Sequence, residues 1–239
     1  MAEMVGASKI AVVIPALDEE EAIGRVIAGI PDFVDDIVVA DNGSTDATAS
    51  VARAAGARVV FEADRGYGAA CLTGIAALDA PDIIVFLDGD YSDDPAQMAA
   101  LVEPILRAEA DLVIGSRTLG MAEPGSLAAH QRFGNWLACS LIRLIWGVTY
   151  TDLGPFRAVD RRALEQLTMS ERTFGWTVEM QIKSAAVGLR IMEIPVSYRP
   201  RIGRSKITGT LRGSFFAGTT ILILIARSAF SLERSARKS

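Results

Sequence analysis

The chain has 239 residues, is 50% hydrophobic, and carries two cysteines and a net charge of −5. That composition excludes a disordered tail protein and leaves room for one large α/β domain or two small ones. Cys71 and Cys139 lie far apart with no Cys-x-x-Cys, which argues against a zinc ribbon or a disulfide framework and fits a reducing compartment. The charge is unevenly spread. Residues 190–239 hold ten Lys or Arg and two acids, a net of +8, leaving −13 for the first 189. A basic end on an acidic body reads either as a site for a polyanion, such as a phosphate group or an anionic inner leaflet, or as a merely solvated tail. The acidic body argues against nucleic-acid binding.

From the N-terminus, Met1 to Ser8 lack a basic stretch and the apolar run Ile10 to Ile14 stops at Pro15, which predicts a first strand rather than a signal peptide and a protein on the cytoplasmic side. Apolar runs then alternate with helical patterns: Ile10 to Ile14 with Glu19 to Gly29, Ile37 to Ala40 with Asp46 to Ala54, Arg58 to Phe61 with Tyr67 to Leu78, Ile83 to Leu87 with Pro95 to Arg107, then Leu112 to Gly115. Short strands separated by helices of about ten residues read as repeated βαβ units, hence an α/β fold with a mostly parallel sheet flanked by helices. Such sheets bind ligands beyond the carboxyl ends of their strands. Three of those ends carry chemistry: Pro15-Ala16-Leu17-Asp18-Glu19, Asp41-Asn42-Gly43-Ser44-Thr45-Asp46 and Asp88-Gly89-Asp90. The second also reads as a turn whose Ser44 or Thr45 caps the next helix.

In Asp88-Gly89-Asp90 the carboxylates stand one residue apart, so in an extended chain they point the same way and can share one cation with a substrate's phosphates. Mg²⁺ or Mn²⁺ suits such a pair, because these ions keep several waters and take few protein carboxylates when a nucleotide supplies oxygens. A solvated turn is the bland alternative. An EF-hand is excluded, since counting from Asp88 the sixth residue is Asp93 and the twelfth Ala99. Gly66-Tyr67-Gly68 before an Ala-rich helix, with Arg65 adjacent, serves either close helix packing or nucleotide contact, and lacks the full fingerprint of an NAD site or a P-loop.

The second half is less regular. A helix is expected over Arg132 to Trp146, its apolar stripe facing the core or lipid. Another is expected over Trp176 to Val187, with a strand near Arg190 to Ile194. The stretch Phe215 to Ala226 would form a helix roughly 18 Å long, too short for the ~30 Å hydrocarbon core. With Arg227, Arg234, Arg237 and Lys238 behind it, it reads as an interfacial helix, or as one docked on the protein's own core or a second subunit. The expected organisation is a catalytic domain over 1–213 and a hydrophobic, basic helix over 214–239.

With these residues together, nearly the whole chain resembles glycosyltransferase family 2, in particular its polyprenyl-phosphate sugar synthases. The likeness rests on Val13-Ile14-Pro15-Ala16-Leu17-Asp18-Glu19-Glu20, the Asp41 to Asp46 run, Gly66-Tyr67-Gly68-Ala69-Ala70, Asp88-Gly89-Asp90, Gly115-Ser116-Arg117 and Arg201-Ile202-Gly203-Arg204-Ser205-Lys206. The resemblance implies a GT-A fold and a nucleoside diphosphate sugar donor, GDP-mannose or UDP-glucose. It implies donor contacts from Pro15, Ala16, Leu17, Glu19, Asp41, Gly43, Gly68, Gly89, Ser205 and Lys206, and a metal on Asp88 and Asp90. It implies a closing loop with Arg201, Ser205 and Lys206, and Arg117 and Arg132 on the acceptor's phosphate. Three positions depart from the family pattern: Asn42 stands for an Asp, Ser92 for a Gln, and Gly154-Pro155-Phe156-Arg157 for Ser-Gly-Phe-Arg.

The implied chemistry is single-displacement hexose transfer with inversion to a polyprenyl phosphate at the cytoplasmic membrane face. Asp88, Asp90, Arg117, Arg132, Arg201 and Lys206 form the catalytic set. A phosphomonoester is already mostly dianionic at neutral pH and needs no general base. Glu179 is the fallback base for a hydroxyl acceptor, the alternative substrate class, and a non-catalytic nucleotide-sugar-binding subunit is the third reading. His130, the one histidine, is left outside the catalytic set. Oligomerisation is left open.

Overall fold

A computed structural model describes residues 8–203 and 218–229. Among them, seven strands form one sheet: β1 (Ile10–Ala16), β2 (Asp36–Asp41), β3 (Arg58–Phe61), β4 (Ile83–Phe86), β5 (Leu112–Ser116), β6 (Arg157–Asp160) and β7 (Ile191–Pro195). The helices are α1 (Ile23–Ala28), α2 (Thr48–Ala54), α3 (Tyr67–Ala76), α4 (Met98–Leu106), α5 (Ala129–Trp146), α6 (Arg161–Leu167) and α7 (Trp176–Val187), with a 3₁₀ turn at Pro95–Gln97. Residues 218–229 are helical as well. The sheet order is β3-β2-β1-β4-β6-β5-β7. Every neighbouring pair is parallel except those of β6, which runs antiparallel to both β4 and β5. This is the mostly parallel α/β architecture that the alternating sequence pattern implies, in the GT-A-like form that the family resemblance implies.

Because a strand's side chains alternate between faces, the inner strands feed two cores. Ile10, Val12 and Ile14 of β1 and Ile83 and Val85 of β4 pack with Ile23 of α1 and Leu101 of α4. Val13, Ile84 and Phe86 pack on the other side with Cys71 of α3, Ile142 of α5, Leu164 of α6 and Trp176 of α7. Both faces being covered explains why these strands read as unbroken apolar runs.

Three elements depart from the sequence expectation. The first helix was expected from Glu19 and starts at Ile23, because the acidic segment before it is tied sideways to the start of α2. Thr45 N–H donates to Asp18 (2.7 Å), Glu19 N–H donates to Thr48 Oγ1 (2.7 Å), and Ala47 N–H donates to Glu20 (2.8 Å). The short strand β6 and helix α6 had no sequence signal. β6 begins on the charged Arg157 and ends on Asp160, whose carboxylate caps α6 through Ala163 N–H at 3.0 Å.

The apolar stretch near the C-terminus behaves as a docked helix over its described part. Ile225 is buried in the second core, with Ile221 and Leu224 packed against it, while Leu222 and Ile223 are exposed. No helix of the described residues is long and apolar enough to cross a membrane.

Trp176 is fully buried and holds the second core to the site-bearing elements, meeting Phe86 of β4 edge-on at 4.6 Å and Tyr67 of α3 at 6.2 Å. Trp176→Ala is expected to cost about 3–5 kcal/mol in urea unfolding, the range for an aromatic removed from a packed core.

Candidate active site

β1 pairs with β2 on one side and β4 on the other, so the connections leave the sheet in opposite directions at the β1/β4 boundary and a crevice opens beyond their carboxyl ends. A cleft of about 260 Å³ lies there, walled by Pro15 and Ala16 at the end of β1, Leu17 and Glu19 just beyond it, Asp88, Gly89 and Asp90 after β4, and Arg201.

Asp88 and Asp90 both face this cleft. Burial, then the neighbouring Asp90, pushes the Asp88 carboxyl up to about 7, against the pull of a hydrogen bond from Tyr67 Oη at 3.0 Å. Asp90 is positioned from its own turn: Tyr91 adopts a left-handed φ of 64°, which brings Ser92 N–H back onto Asp90 Oδ1 at 2.9 Å. Arg201 spans the opening, 2.5 Å from Glu19 Oε1 and 3.3 Å from Asp90 Oδ2, while Ile202 N–H donates to the Asp90 carbonyl at 3.0 Å. Among the described residues no three His, Cys, Asp or Glu side chains are arranged so that they could hold a metal ion together. The pair therefore offers hard oxygen donors in electrostatic conflict, a set that fits Mg²⁺ or Mn²⁺ with water and substrate oxygens completing the shell. Asp93, buried behind the pair, accepts no hydrogen bond among the described residues, and burial, then Asp88, pushes its carboxyl well up.

A second, wider groove of about 1080 Å³ runs along α5 and is lined by Arg117, His130, Arg132, Trp136, Arg143 and Asp152, among others. Arg117 lies between the two sites, close enough for its charge to lower the Asp88 pKa. Asp152 grips it through Nε (2.8 Å) and Nη2 (2.7 Å), and Asp152 N–H in turn donates to Glu193 of β7 at 3.1 Å. Burial disfavours the Arg117 charge, but the Asp152 pair outweighs it and raises the pKa, so this cation is fixed in place and permanently charged.

Residues 11–168, two thirds of the chain, match the model of the family described as glycosyl transferase family 2. The chain belongs to this family. It is a glycosyltransferase, 38% identical over 211 residues to an uncharacterised glycosyltransferase of Mycobacterium tuberculosis, covering 87% of this chain and 94% of that one. It is 33% identical over 201 residues to a dolichyl-phosphate hexose transferase of Haloferax volcanii, covering 83% and 86%. Among solved structures it is similar to glucosyl-3-phosphoglycerate synthase of M. tuberculosis in complex with Mn²⁺, UDP-glucose and phosphoglyceric acid. That likeness has a TM-score of 0.78 and 27% identity, and covers 95% of this chain and 82% of the other.

In this family 2 transferase, Pro15, Ala16, Leu17, Glu19, Asp88, Gly89, Asp90 and Arg201 meet in the cleft. Arg117 and Arg132 lie in the groove instead. Asp41 is buried and accepts Ser44 N–H at 2.9 Å, and Gly43, at φ 80°, shapes the turn and accepts Arg65 through its carbonyl at 3.0 Å. Neither lines the cleft wall. Gly68 serves helix packing: a Cβ there would meet the Glu171 carbonyl at 2.1 Å, and the N–H groups of Gly68 and Ala69 are taken by the Thr173 and Arg172 carbonyls. Ser205 and Lys206 lie outside the described residues.

The cleft also uses Asn42, Arg65, Gly66, Tyr67, Thr173 and Phe174. Asn42 explains one departure from the family pattern. Its amide donates to the Glu62 (3.3 Å) and Asp64 (2.7 Å) carbonyls and accepts Gly66 N–H (2.8 Å), a double donation that an Asp cannot make. Tyr67 was legible only as part of the Gly-x-Gly segment, and Thr173 and Phe174 carry no sequence signal.

Two polar groups of the second half are structural. Arg157, fully buried, donates to the carbonyls of Leu153, Gly154 and Thr177, and burial lowers its pKa to about 10. Glu179, the fallback base, is buried and tied to Ser170 N–H and Oγ, Glu171 N–H and Lys183. Burial alone would raise its pKa, but these bonds hold it below the usual range. It lines neither the cleft nor the groove and buttresses the turn that packs on Gly68, so the fallback role has no geometric support.

Asp88 couples stability and metal binding to pH. Its pKa rises from 3.8 to about 7, so the fold keeps a proton that the unfolded chain releases. The metal-free protein should lose this contribution to stability as pH rises from about 4 to about 7. Protons and Mn²⁺ compete for the same carboxylate, so Mn²⁺ affinity should fall about tenfold per unit below pH 7. Thermal melts with and without Mn²⁺ test this: the Mn²⁺-induced rise in Tm should grow from about pH 5.5 to pH 8. Asp88→Asn should flatten the dependence, and Tyr67→Phe, lacking the hydrogen bond that opposes the shift, should move it to higher pH.

Proposed function

We propose that this glycosyltransferase moves a hexose from GDP-mannose or UDP-glucose to a polyprenyl phosphate, with inversion, at the cytoplasmic face of a membrane. The observation that carries the proposal is the groove beside the carboxylate cleft, where Arg117 and Arg132 lie among apolar side chains. The fixed guanidinium of Arg117, with the exposed Arg132 beside it, suits a phosphate headgroup, and apolar walls suit the chain behind it.

Asp88 and Asp90 would hold a divalent cation, which would supply positive charge to offset that of a nucleoside diphosphate leaving group. The chain's own groups do the rest. Arg201, held by Glu19, stands over the donor phosphates and stabilises the charge that develops on them more in the transition state than in the ground state. Lys206 follows on the same segment of sequence and would add a second cation there. Arg117, its direction set by Asp152, presents the acceptor's phosphate oxygen to the anomeric carbon, and that oxygen is already ionised near neutral pH. The structural use of Glu179 favours such a nucleophile over a hydroxyl that needs a base.

Incubation with radiolabelled nucleotide sugars, Mg²⁺ and undecaprenyl or dolichyl phosphate should place label in an acid-labile lipid. Asp88→Ala and Asp90→Ala should each lower that rate by at least ~100-fold, comparable to removing a main electrostatic stabiliser. A second reading is favoured by the phosphoglyceric acid in the similar synthase structure: the same arginines would hold a small phosphorylated acceptor. Label in a water-soluble phosphorylated product, with none in lipid, would replace the first reading by the second. Unchanged function in both Asp variants would instead point to a non-catalytic nucleotide-sugar-binding subunit.

A further inference from the structure

We infer that the outer face of α5 is the surface by which the protein seats on an anionic lipid bilayer. The inference rests on the membrane placement proposed above and names the surface responsible for it. α5 has two apolar sides. Ala138, Cys139 and Ile142 are buried in the second core, whereas Phe133, Trp136 and Leu144 are 60%, 61% and 81% exposed. Spacings of three and eight residues align those three in one stripe along the helix, and the rings of Phe133 and Trp136 lie 5.8 Å apart.

Aromatic and leucine side chains on one face of a helix whose other face packs inward suit the headgroup boundary. Arg132 and Arg143, both exposed, follow one edge of the stripe, and α5 contains no Asp or Glu. The face is therefore apolar and purely cationic on a chain whose first 189 residues carry a net −13, which matches an anionic lipid surface. The same charge disfavours a two-fold contact of this face with a second copy, because antiparallel pairing would set arginine against arginine. Arg132, Trp136 and Arg143 also line the acceptor groove, so a bilayer on this face would present its headgroups directly to that groove.

Co-sedimentation with phosphatidylcholine vesicles, with and without phosphatidylglycerol, tests the inference. Binding is expected only with phosphatidylglycerol and should weaken with salt. Arg143→Gln should lower it about fivefold, the contribution of one basic residue near such a surface. The triple variant Phe133→Ser, Trp136→Ser, Leu144→Ser should lower it at least ~100-fold with an unchanged melting temperature. Leu144→Ser alone, at the most exposed of the three positions, should show a partial loss even if the triple variant fails to fold. Vesicle binding by the parent protein should shift tryptophan emission to the blue, and Trp136→Phe should remove that shift. Vesicle binding unaffected by all these substitutions would overturn the inference, as would self-association through this face with no vesicle binding. Binding without any lipid-linked product would keep it and remove the acceptor reading. Turnover of detergent-dissolved polyprenyl phosphate without vesicle binding would do the reverse.

Discussion

Asp88 and Asp90 repel each other across a single glycine in the cleft, and the surrounding structure is arranged to tolerate that repulsion. Tyr67 donates to Asp88 from α3, Arg201 and Ser92 N–H hold Asp90, and burial favours the neutral form of Asp93 behind them. Ser92 and Asp93 belong to the turn that carries Asp90, whereas Tyr67 and Arg201 come from distant parts of the chain, so the two carboxylates depend on the fold as well as on their own turn. Tyr67 in turn rests on Trp176, and α3 can approach only because Gly66 and Gly68 leave room for the backbone of residues 171–173. The buried Glu179 fixes the turn preceding that backbone. A residue that resembles a catalytic base by type thus acts two layers away from the chemistry, as a brace.

The two halves of the domain divide the work. The parallel strands β3-β2-β1-β4 build the carboxylate cleft at their carboxyl ends, as the reversal of connection at β1 and β4 requires. The antiparallel strand β6 separates β4 from β5 and moves Arg117, just beyond β5, one strand further from the carboxylate pair. This spacing leaves a cation between cleft and groove that both can feel. Asp152 and Glu193 then lock Arg117 from behind with charge-assisted hydrogen bonds. Arg157, in the segment that departs from the family pattern, serves three backbone carbonyls and keeps the loop before β6 in place.

The sequence by itself determined the alternating strands and helices, the cleft at the strand ends, the Asp88/Asp90 pair and the family, because each is written in local pattern: apolar runs, turn residues and acids at fixed spacing. Pro15, Ala16, Leu17 and Glu19 were legible as cleft residues for the same reason. Tertiary structure decided what depends on partners distant in sequence. It inserted β6 between β4 and β5, drew Thr173 and Phe174 to the carboxylate cleft, assigned Gly68 and Glu179 to packing, and gave Asn42 a double-donor role. It also split the apolar residues of α5 between core and solvent, a division that periodicity cannot make because both sets are hydrophobic. Burial and pairing are properties of the assembled chain: a side chain's neighbours across the sheet, and the dielectric they create, do not exist until the strands have met.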